Sequence, residues 1–357
     1  MECLEPYNAI YLDNTDSGYK IQPCCLYNNT EGVVDSIDKI QAKNQELWPT
    51  LDWEKNCIVC LSKERHNEHS KRLESFKSSS REKGLVRFDI RPGSTCNLKC
   101  IMCNPRNSSA WQQDIELWTK YNNDYERSLS RKNFNELDWD WIYTKCVDKA
   151  ELIYIVGGEP FYMKSVHEFL DNLSKNKWNC YNTRILIQTN GVSNTPKFLD
   201  ILSRFKKLEF SLSIDGWGEV NELIRFPTNH DTFIKNADEL FQLAPFDSYF
   251  NMTVQCMNLP NIDELVSNIK NRWNTKYYIN KLMGPKYLRI DNLKPHVIER
   301  VLETTQLFEL KKFCSEYKYD DSQNKIMKNY LLDLVKPHLW FVQNFYPSAL
   351  VRSCSSL

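Results

Sequence analysis

The sequence predicts an α/β protein: six βα units around a parallel sheet, able to form an open barrel. A small cysteine-rich segment precedes them and a helical extension follows. Two observations carry this. Short β-rich runs alternate with amphipathic segments of helical length. Glycine is scarce, 10 in 357 residues, yet Gly93, Gly157, Gly158, Gly191, Gly216 and Gly218 fall within or beside motifs at the ends of those runs. In parallel α/β architectures that edge gathers ligands and catalytic groups.

Taken in order, residues 1 to about 80 hold five cysteines and close on the charged stretch SKERHNEHSKRLESFKSSSREKG, which reads as a solvated helix and linker with a boundary near Ser80. Strands are expected at 85–90 (LVRFDI), 151–156 (ELIYIV), 184–188 (RILIQ), 208–214 (LEFSLSI), 249–255 (YFNMTVQ) and 287–290 (YLRI). Amphipathic periodicity places helices at roughly 108–122, 163–175, 195–205, 229–243 and 261–273, with an extra one in the tryptophan-rich 136–146. Beyond about Asp291 the chain is mostly helical and charged, and it ends in the aromatic run HLWFVQNFYPSAL, which could close the barrel, hold substrate or pack into the core. The expected organisation is 1–80, 81–290 and 291–357.

Composition narrows the function. Lys+Arg and Asp+Glu both number 46, so the net charge is zero, against a protein built to grip nucleic acid. There is no bilayer-length apolar run, and the N-terminus MECLEPYNAIYLDN is acidic, so a cytoplasmic protein with no membrane partner is expected. Thirteen cysteines in that setting point to metal or redox chemistry before disulfides.

After the first strand, RPGSTCNLKCIMCNP sets Cys96, Cys100 and Cys103 in a CX3CX2C spacing. Three thiolates on one loop can bind three irons of a [4Fe–4S] cluster and leave the fourth open, whereas zinc usually wants four ligands. Buried thiols or a zinc loop remain the alternatives on spacing alone. GGEP (Gly157–Pro160) ends the second strand: its glycines allow close backbone approach, and Glu159 could hold an ammonium group. QTNG (Gln188–Gly191) ends the third, where a plain Asn-Gly turn reads equally well. In SLSIDGWGEVNELIRF, Ser213 and Asp215 share a face by strand alternation, and Arg225 follows the serine by twelve residues. VQCMNLPN ends the fifth strand and includes Met257.

In order and spacing these motifs resemble the radical S-adenosylmethionine (radical SAM) superfamily over about residues 85–290. The resemblance implies a partial (β/α)6 TIM-like barrel. It also implies a [4Fe–4S] cluster on Cys96, Cys100 and Cys103 whose open iron chelates SAM, and reductive cleavage of SAM to a 5′-deoxyadenosyl radical. By the same resemblance Gly157, Gly158 and Glu159 hold the SAM amino group, Ser213 and Asp215 lie near its ribose, and Arg225 pairs with its carboxylate. The fifth-strand segment with Met257 contacts adenine, and Met102 stands where the family usually has an aromatic residue, still able to pack on adenine.

The N-terminal cysteines make a second constellation. CIVC (Cys57 and Cys60) with two of Cys3, Cys24 and Cys25 suffices for zinc or an iron–sulfur cluster; His66 and His69 follow in a charged helix and read as solvated. Gly18, Cys24, Trp48, Cys57 and Cys60 follow the order of the auxiliary-cluster modules called SPASM and twitch, here placed before the barrel, and the chain resembles twitch-containing radical SAM proteins that begin this way. The resemblance implies a second, auxiliary [4Fe–4S] cluster on Cys3, Cys24, Cys57 and Cys60, with Cys25 the alternate. Cys146, Cys180, Cys256, Cys314 and Cys354 have no ligand spacing. The function implied is hydrogen abstraction from a peptide or protein substrate, with a small alcohol, sugar or nucleotide as the alternative and a flavodoxin- or ferredoxin-type electron donor. A non-catalytic iron–sulfur or zinc protein is the more distant reading.

Overall fold

A computed structural model describes residues 2–15, 18–28, 32–78, 84–122, 137–245 and 247–335. The aromatic run 338–350, Cys354 and the boundary near Ser80 lie outside the described residues. The chain folds into two compact units. The first comprises Met1–Thr95, Ser130–Gln188 and Thr195–Glu209; the second comprises Cys96–Leu129, Thr189–Asn194 and Phe210–Leu357. No helix among the described residues is long and apolar enough to cross a membrane.

The first unit contains β1 (Ala9–Thr15), β2 (Gly18–Lys20), β3 (Val33–Val34), β4 (Arg87–Arg91), β5 (Leu152–Ile155) and β6 (Arg184–Thr189). β1, β4, β5 and β6 run parallel in that order, Ala9 opposite Arg87, Arg87 opposite Leu152 and Leu152 opposite Arg184; β2 and β3 add antiparallel strands beside β1. Alternation divides the faces. Phe88, Ile90, Ile153, Ile155, Ile185 and Ile187 are fully buried on one side. The same side suits the helices Lys164–Leu173 and Pro196–Ser203, whose buried residues recur at helical spacing: Val166, Phe169, Leu170 and Leu173 in one, Phe198, Ile201 and Leu202 in the other. Thr195 caps the second helix by accepting from the Phe198 amide, with Pro196 at its first position. The opposite face of β4 to β6 carries Arg87, Asp89, Arg91, Tyr154 and Gln188. Leu152 and Leu186 share that face, so it is mixed rather than wholly apolar as in strands buried on both sides.

β7 (Lys207–Ser213) carries the chain from the first unit into the second, where it pairs in parallel with β8 (Tyr249–Val254), and β8 with β9 (Lys276–Lys281). The helix His230–Leu243 is capped by Asn229 and buries Phe233, Ala237, Leu240 and Phe241. The helix Ile262–Trp273 ends at Asn274, which adopts the left-handed conformation with φ 48°. Helices Pro295–Thr304, Phe308–Ser315 and Asn324–Val335 follow, as the charged helical pattern beyond Asp291 implied.

Five of the six expected strands occur within two residues of their expected bounds. The sixth does not: residues 286–292 form two short 3-10 turns, Lys286–Leu288 and Ile290–Asn292, and the strand lies at Lys276–Lys281. Pro285 before YLRI and Asp291-Asn292 after it leave too little room for a strand, and both favour turns. KYYINK passes unnoticed because Ile279 is its one buried residue. The sequence also conceals β1, which adds a seventh parallel strand from within the cysteine-rich segment.

Candidate functional site

In the second unit the loop Cys96 to Cys103 is fastened at several of its carbonyls. The indole nitrogens of Trp111 and Trp118 donate to the Cys100 and Cys103 carbonyls at 3.2 and 3.1 Å. The Tyr330 hydroxyl donates to the Ile101 carbonyl at 2.9 Å, and Ser108 Oγ to the Leu98 carbonyl at 2.6 Å. The amides of Lys99 and Ile101 donate to the carbonyls of Phe226 and Ile224, at 2.6 and 2.9 Å. These partners come from the turn Ser109–Asp114, the helix Ile115–Tyr121, the helix Asn324–Val335 and the segment around Arg225. The loop conformation is thus set mainly by groups other than its thiols, which add the long contacts of Leu98 N to Cys96 Sγ at 3.5 Å and of Cys103 Sγ to the Asn104 carbonyl at 3.8 Å. Asn190, from the QTNG motif, donates to Asn97 Oδ1 at 2.8 Å and lies 4.0 Å from Cys96 Sγ.

Burial pushes the Cys100 thiol well up from its ordinary value; the neighbouring Cys103 and Cys96 add to this and Arg225 opposes it. Burial likewise raises Cys103 to about 12. Thiols whose ionisation is penalised by burial and by one another are the groups a cationic metal centre stabilises, so the donor set fits an iron–sulfur cluster. Among the described residues no three His, Cys, Asp or Glu side chains converge as a preformed single-ion site.

Asp215 and Arg225 are both buried in the same unit, with Arg225 Nε 2.7 Å from Asp215 Oδ2. The contact is an ion pair outside hydrogen-bond geometry, which leaves both atoms without a hydrogen-bond partner. Burial raises the Asp215 carboxyl against the pull of Arg225. Asp215 is otherwise fixed: its Oδ1 accepts from the Thr253 amide at 2.7 Å, its amide donates to Asn221 Oδ1 at 2.9 Å, and Asn258 Nδ2 donates to its carbonyl at 2.8 Å. Asn258 belongs to the VQCMNLPN segment, whose Gln255 lies 3.8 Å from Met102 Sδ through its Nε2. Met257 and Ser213 are buried in this unit as well. The second unit thus holds the cysteine triplet, Met102, Ser213, Asp215, Arg225 and Met257.

Gly157, Gly158 and Glu159 belong to the first unit. Gly158 has φ +53°, and a Cβ there would lie 2.5 Å from the Thr95 carbonyl and 2.6 Å from Met163 Cε. That carbonyl also accepts from the Glu159 amide at 2.7 Å, and Glu159 Oε1 caps the following turn by accepting from Phe161 N at 3.1 Å. Gly158→Ala is therefore expected to displace the GGEP turn and destabilise the protein by about 1–3 kcal/mol. Chemical denaturation checks this: an unchanged midpoint would mean that the turn tolerates a side chain.

Also in the first unit, Cys3, Cys24, Cys57 and Cys60 line one cavity of about 20 Å³, together with Trp48 and Trp53, whose rings meet edge-on at 4.8 Å. Cys57 precedes the helix Ile58–Arg65 and Cys60 lies in its first turn, so their spacing sets them on one side. Burial raises the Cys3 and Cys57 thiols to about 11 each. Cys25 lines a neighbouring cleft instead, where Lys71 Nζ donates to its sulfur at 3.3 Å. Gly18, at φ +127°, sits against the Val34 carbonyl. His66 and His69 are exposed and engage the Ser62 carbonyl and Glu74. Cys146, Cys180, Cys256 and Cys314 are buried. The sequence reading did not single out Trp111, Trp118 or Tyr330; the two tryptophans fall within the amphipathic segment 108–122.

Fold and site together define an α/β protein with a clamped three-thiol loop beyond the end of a parallel strand. The chain belongs to the radical SAM superfamily, whose sequence model matches residues 90–269, just over half of its length. Members of that superfamily are enzymes, and membership implies SAM and a [4Fe–4S] cluster as cofactors. No curated protein matches the sequence. Among solved structures, "Native anSMEcpe with bound AdoMet" is 17% identical at a TM-score of 0.39, covering 64% of this chain and 62% of that one. Streptococcus suis SuiB bound to S-adenosylmethionine is 15% identical at a TM-score of 0.39, covering 81% of this chain and 52% of that one. The chain thus spans less than two thirds of the length of these structures.

Proposed function

We propose that this protein uses SAM and a [4Fe–4S] cluster to abstract hydrogen from a substrate, a peptide or protein first and a small alcohol, sugar or nucleotide as the alternative. The observation that supports this is the clamped CX3CX2C loop in one unit with the buried, imperfectly paired Arg225 and Asp215. Bound together, the cluster and SAM supply one-electron cleavage of the sulfonium and a 5′-deoxyadenosyl radical. On this reading Cys96, Cys100 and Cys103 hold three irons. Arg225 turns its fork to the SAM carboxylate, for which its contact with Asp215 leaves it partly unsatisfied. Gly157 to Glu159 receive the amino group, Ser213 and Asp215 face the ribose, and Met102 and Met257 pack on adenine.

The parallel strands would close as a partial barrel over residues 81–290, with 1–80 an auxiliary module and 291–357 a helical extension. Cys3, Cys24, Cys57 and Cys60 would hold a second [4Fe–4S] cluster, and a flavodoxin- or ferredoxin-type protein would supply electrons. Anaerobic reconstitution tests the proposal: about eight irons per chain and deoxyadenosine from SAM under dithionite are expected. Stoichiometric zinc without iron would sink it. Arg225→Lys, which keeps the charge but loses the fork, should weaken SAM binding about tenfold with iron unchanged. Unchanged SAM affinity by calorimetry would remove Arg225 from the site.

A further inference from the structure

The first unit holds a cleft of about 70 Å³ that the proposed reaction leaves unassigned, lined by Tyr11, Cys25, Lys71, Arg87, Asp89 and Tyr154 among others. Asp89 lies mid-strand in β4 on the mixed face, only 8% exposed, and neither of its carboxylate oxygens has a hydrogen-bond partner. Lys71 and Arg91 act on it through charge, and the Cys25 thiol is its one hydrogen-bonding neighbour among the described residues, a weak donor short of full hydrogen-bond geometry. The nearest cations are otherwise engaged. Lys71 Nζ stands 3.3 Å from Cys25 Sγ and 3.3 Å from Glu5, Arg87 pairs with Glu5 at 2.6 Å, and Arg91 stacks over Tyr11 at 5.0 Å. A buried carboxylate served only by a weak thiol donor is costly, and a ligand that brings a stronger donor would offset that cost.

We propose that this cleft is a substrate subsite that seats a small, uncharged hydrogen-bond donor, a hydroxyl or a carboxamide N–H, on the Asp89 carboxylate. Charge selects the class. Glu5 and Asp89 line the cleft together with Lys71 and Arg87, so the lining is balanced, and a charged occupant would bring in an uncompensated buried charge. Size agrees, because the volume admits only a group of a few atoms. The subsite lies beside the cavity of Cys3, Cys24, Cys57 and Cys60, with which it shares Glu5, Pro23, Cys24 and Lys71. As a substrate site it rests on the radical reading above; as a binding site it does not.

Cys25 reports occupancy. In the full chain with reconstituted clusters, alkylation of Cys25 by N-ethylmaleimide is followed by mass spectrometry in the presence of acetamide, ethanol, acetate or ethylammonium at equal concentration. Free glutathione, alkylated under the same conditions, serves as the reference for reagent reactivity. Acetamide and ethanol are expected to slow Cys25 labelling about three- to tenfold at concentrations above their dissociation constants, and acetate and ethylammonium to leave it unchanged. Asp89→Asn should remove most of that protection. Equal protection by all four probes, protection by none, strongest protection by ethylammonium, or protection that survives in Asp89→Asn would each overturn the proposal. The wild-type probe pattern decides even where the variant does not fold. Deoxyadenosine formation, measured on the same preparation, tests the radical reading separately.

Discussion

Replacing Cys96, Cys100 and Cys103 together with alanine is expected to abolish deoxyadenosine formation from SAM and to leave about half of the iron. The loss should be complete because three thiolates are the minimum that can hold a cluster with one open iron; no other cysteine lies in the CX3CX2C loop to substitute. The fold should survive. Trp111, Trp118, Tyr330 and Ser108 hold the loop's carbonyls, and the Phe226 and Ile224 carbonyls hold its amides, so the loop depends little on its thiols for shape. Circular dichroism of the variant should match the parent, which separates loss of the cluster from unfolding. If deoxyadenosine still forms, the ligand assignment is wrong. If iron falls to zero, the second cysteine set is not an independent site.

How much of this was legible in the sequence depended on which physical signal each element leaves. Strands β4 to β8 announced themselves by apolar runs, because their buried isoleucines and phenylalanines recur along each strand. β9 did not, since lysines flank a strand with one buried residue, and YLRI drew the prediction although Pro285 and the following Asp-Asn pair favour turns. β1 was hidden by the cysteines around it. At the site, the ligand-type residues were visible because chemistry restricts their kinds and spacing. Their supports were not: a tryptophan that donates an indole N–H to a backbone carbonyl leaves the same apolar trace as one that fills a core. Asp215 and Arg225 were visible as motif members, but their mutual pairing was not, because it arises when the segment after β7 folds back through Asn221 and Asn258. The near-bareness of Asp89 was equally invisible, since the lack of a strong partner is a property of three-dimensional surroundings.

Cys24→Ala should cost the protein roughly half of its iron while deoxyadenosine formation persists, and Cys25→Ala should leave the iron unchanged. Adjacent residues differ this much because the turn sends them to different surroundings. The Cys24 carbonyl accepts from Gln22 Nε2 at 3.0 Å and from the Tyr27 amide at 3.2 Å, which fixes the turn. From it, Cys24 lines the cavity shared with Cys3, Cys57 and Cys60, whereas Cys25 lines only the Asp89 cleft and receives Lys71. On the proposed reading the thiol that accepts from an ammonium is free for a substrate group, and the one that shares a cavity with three other cysteines is the ligand. Iron and acid-labile sulfide analysis of the two variants reads this directly. Loss from Cys25→Ala alone would exchange the roles and move the second cluster toward Asp89, and equal loss from both would show that the cluster needs both thiols. Cys24→Ala also separates the two sites: deoxyadenosine should still form, because the cysteine triplet lies on its own loop in the other unit, while turnover that needs the second cluster should fail. A protein that kept both iron and turnover without Cys24 would have no auxiliary cluster on these residues, and its N-terminal cysteines would be core thiols.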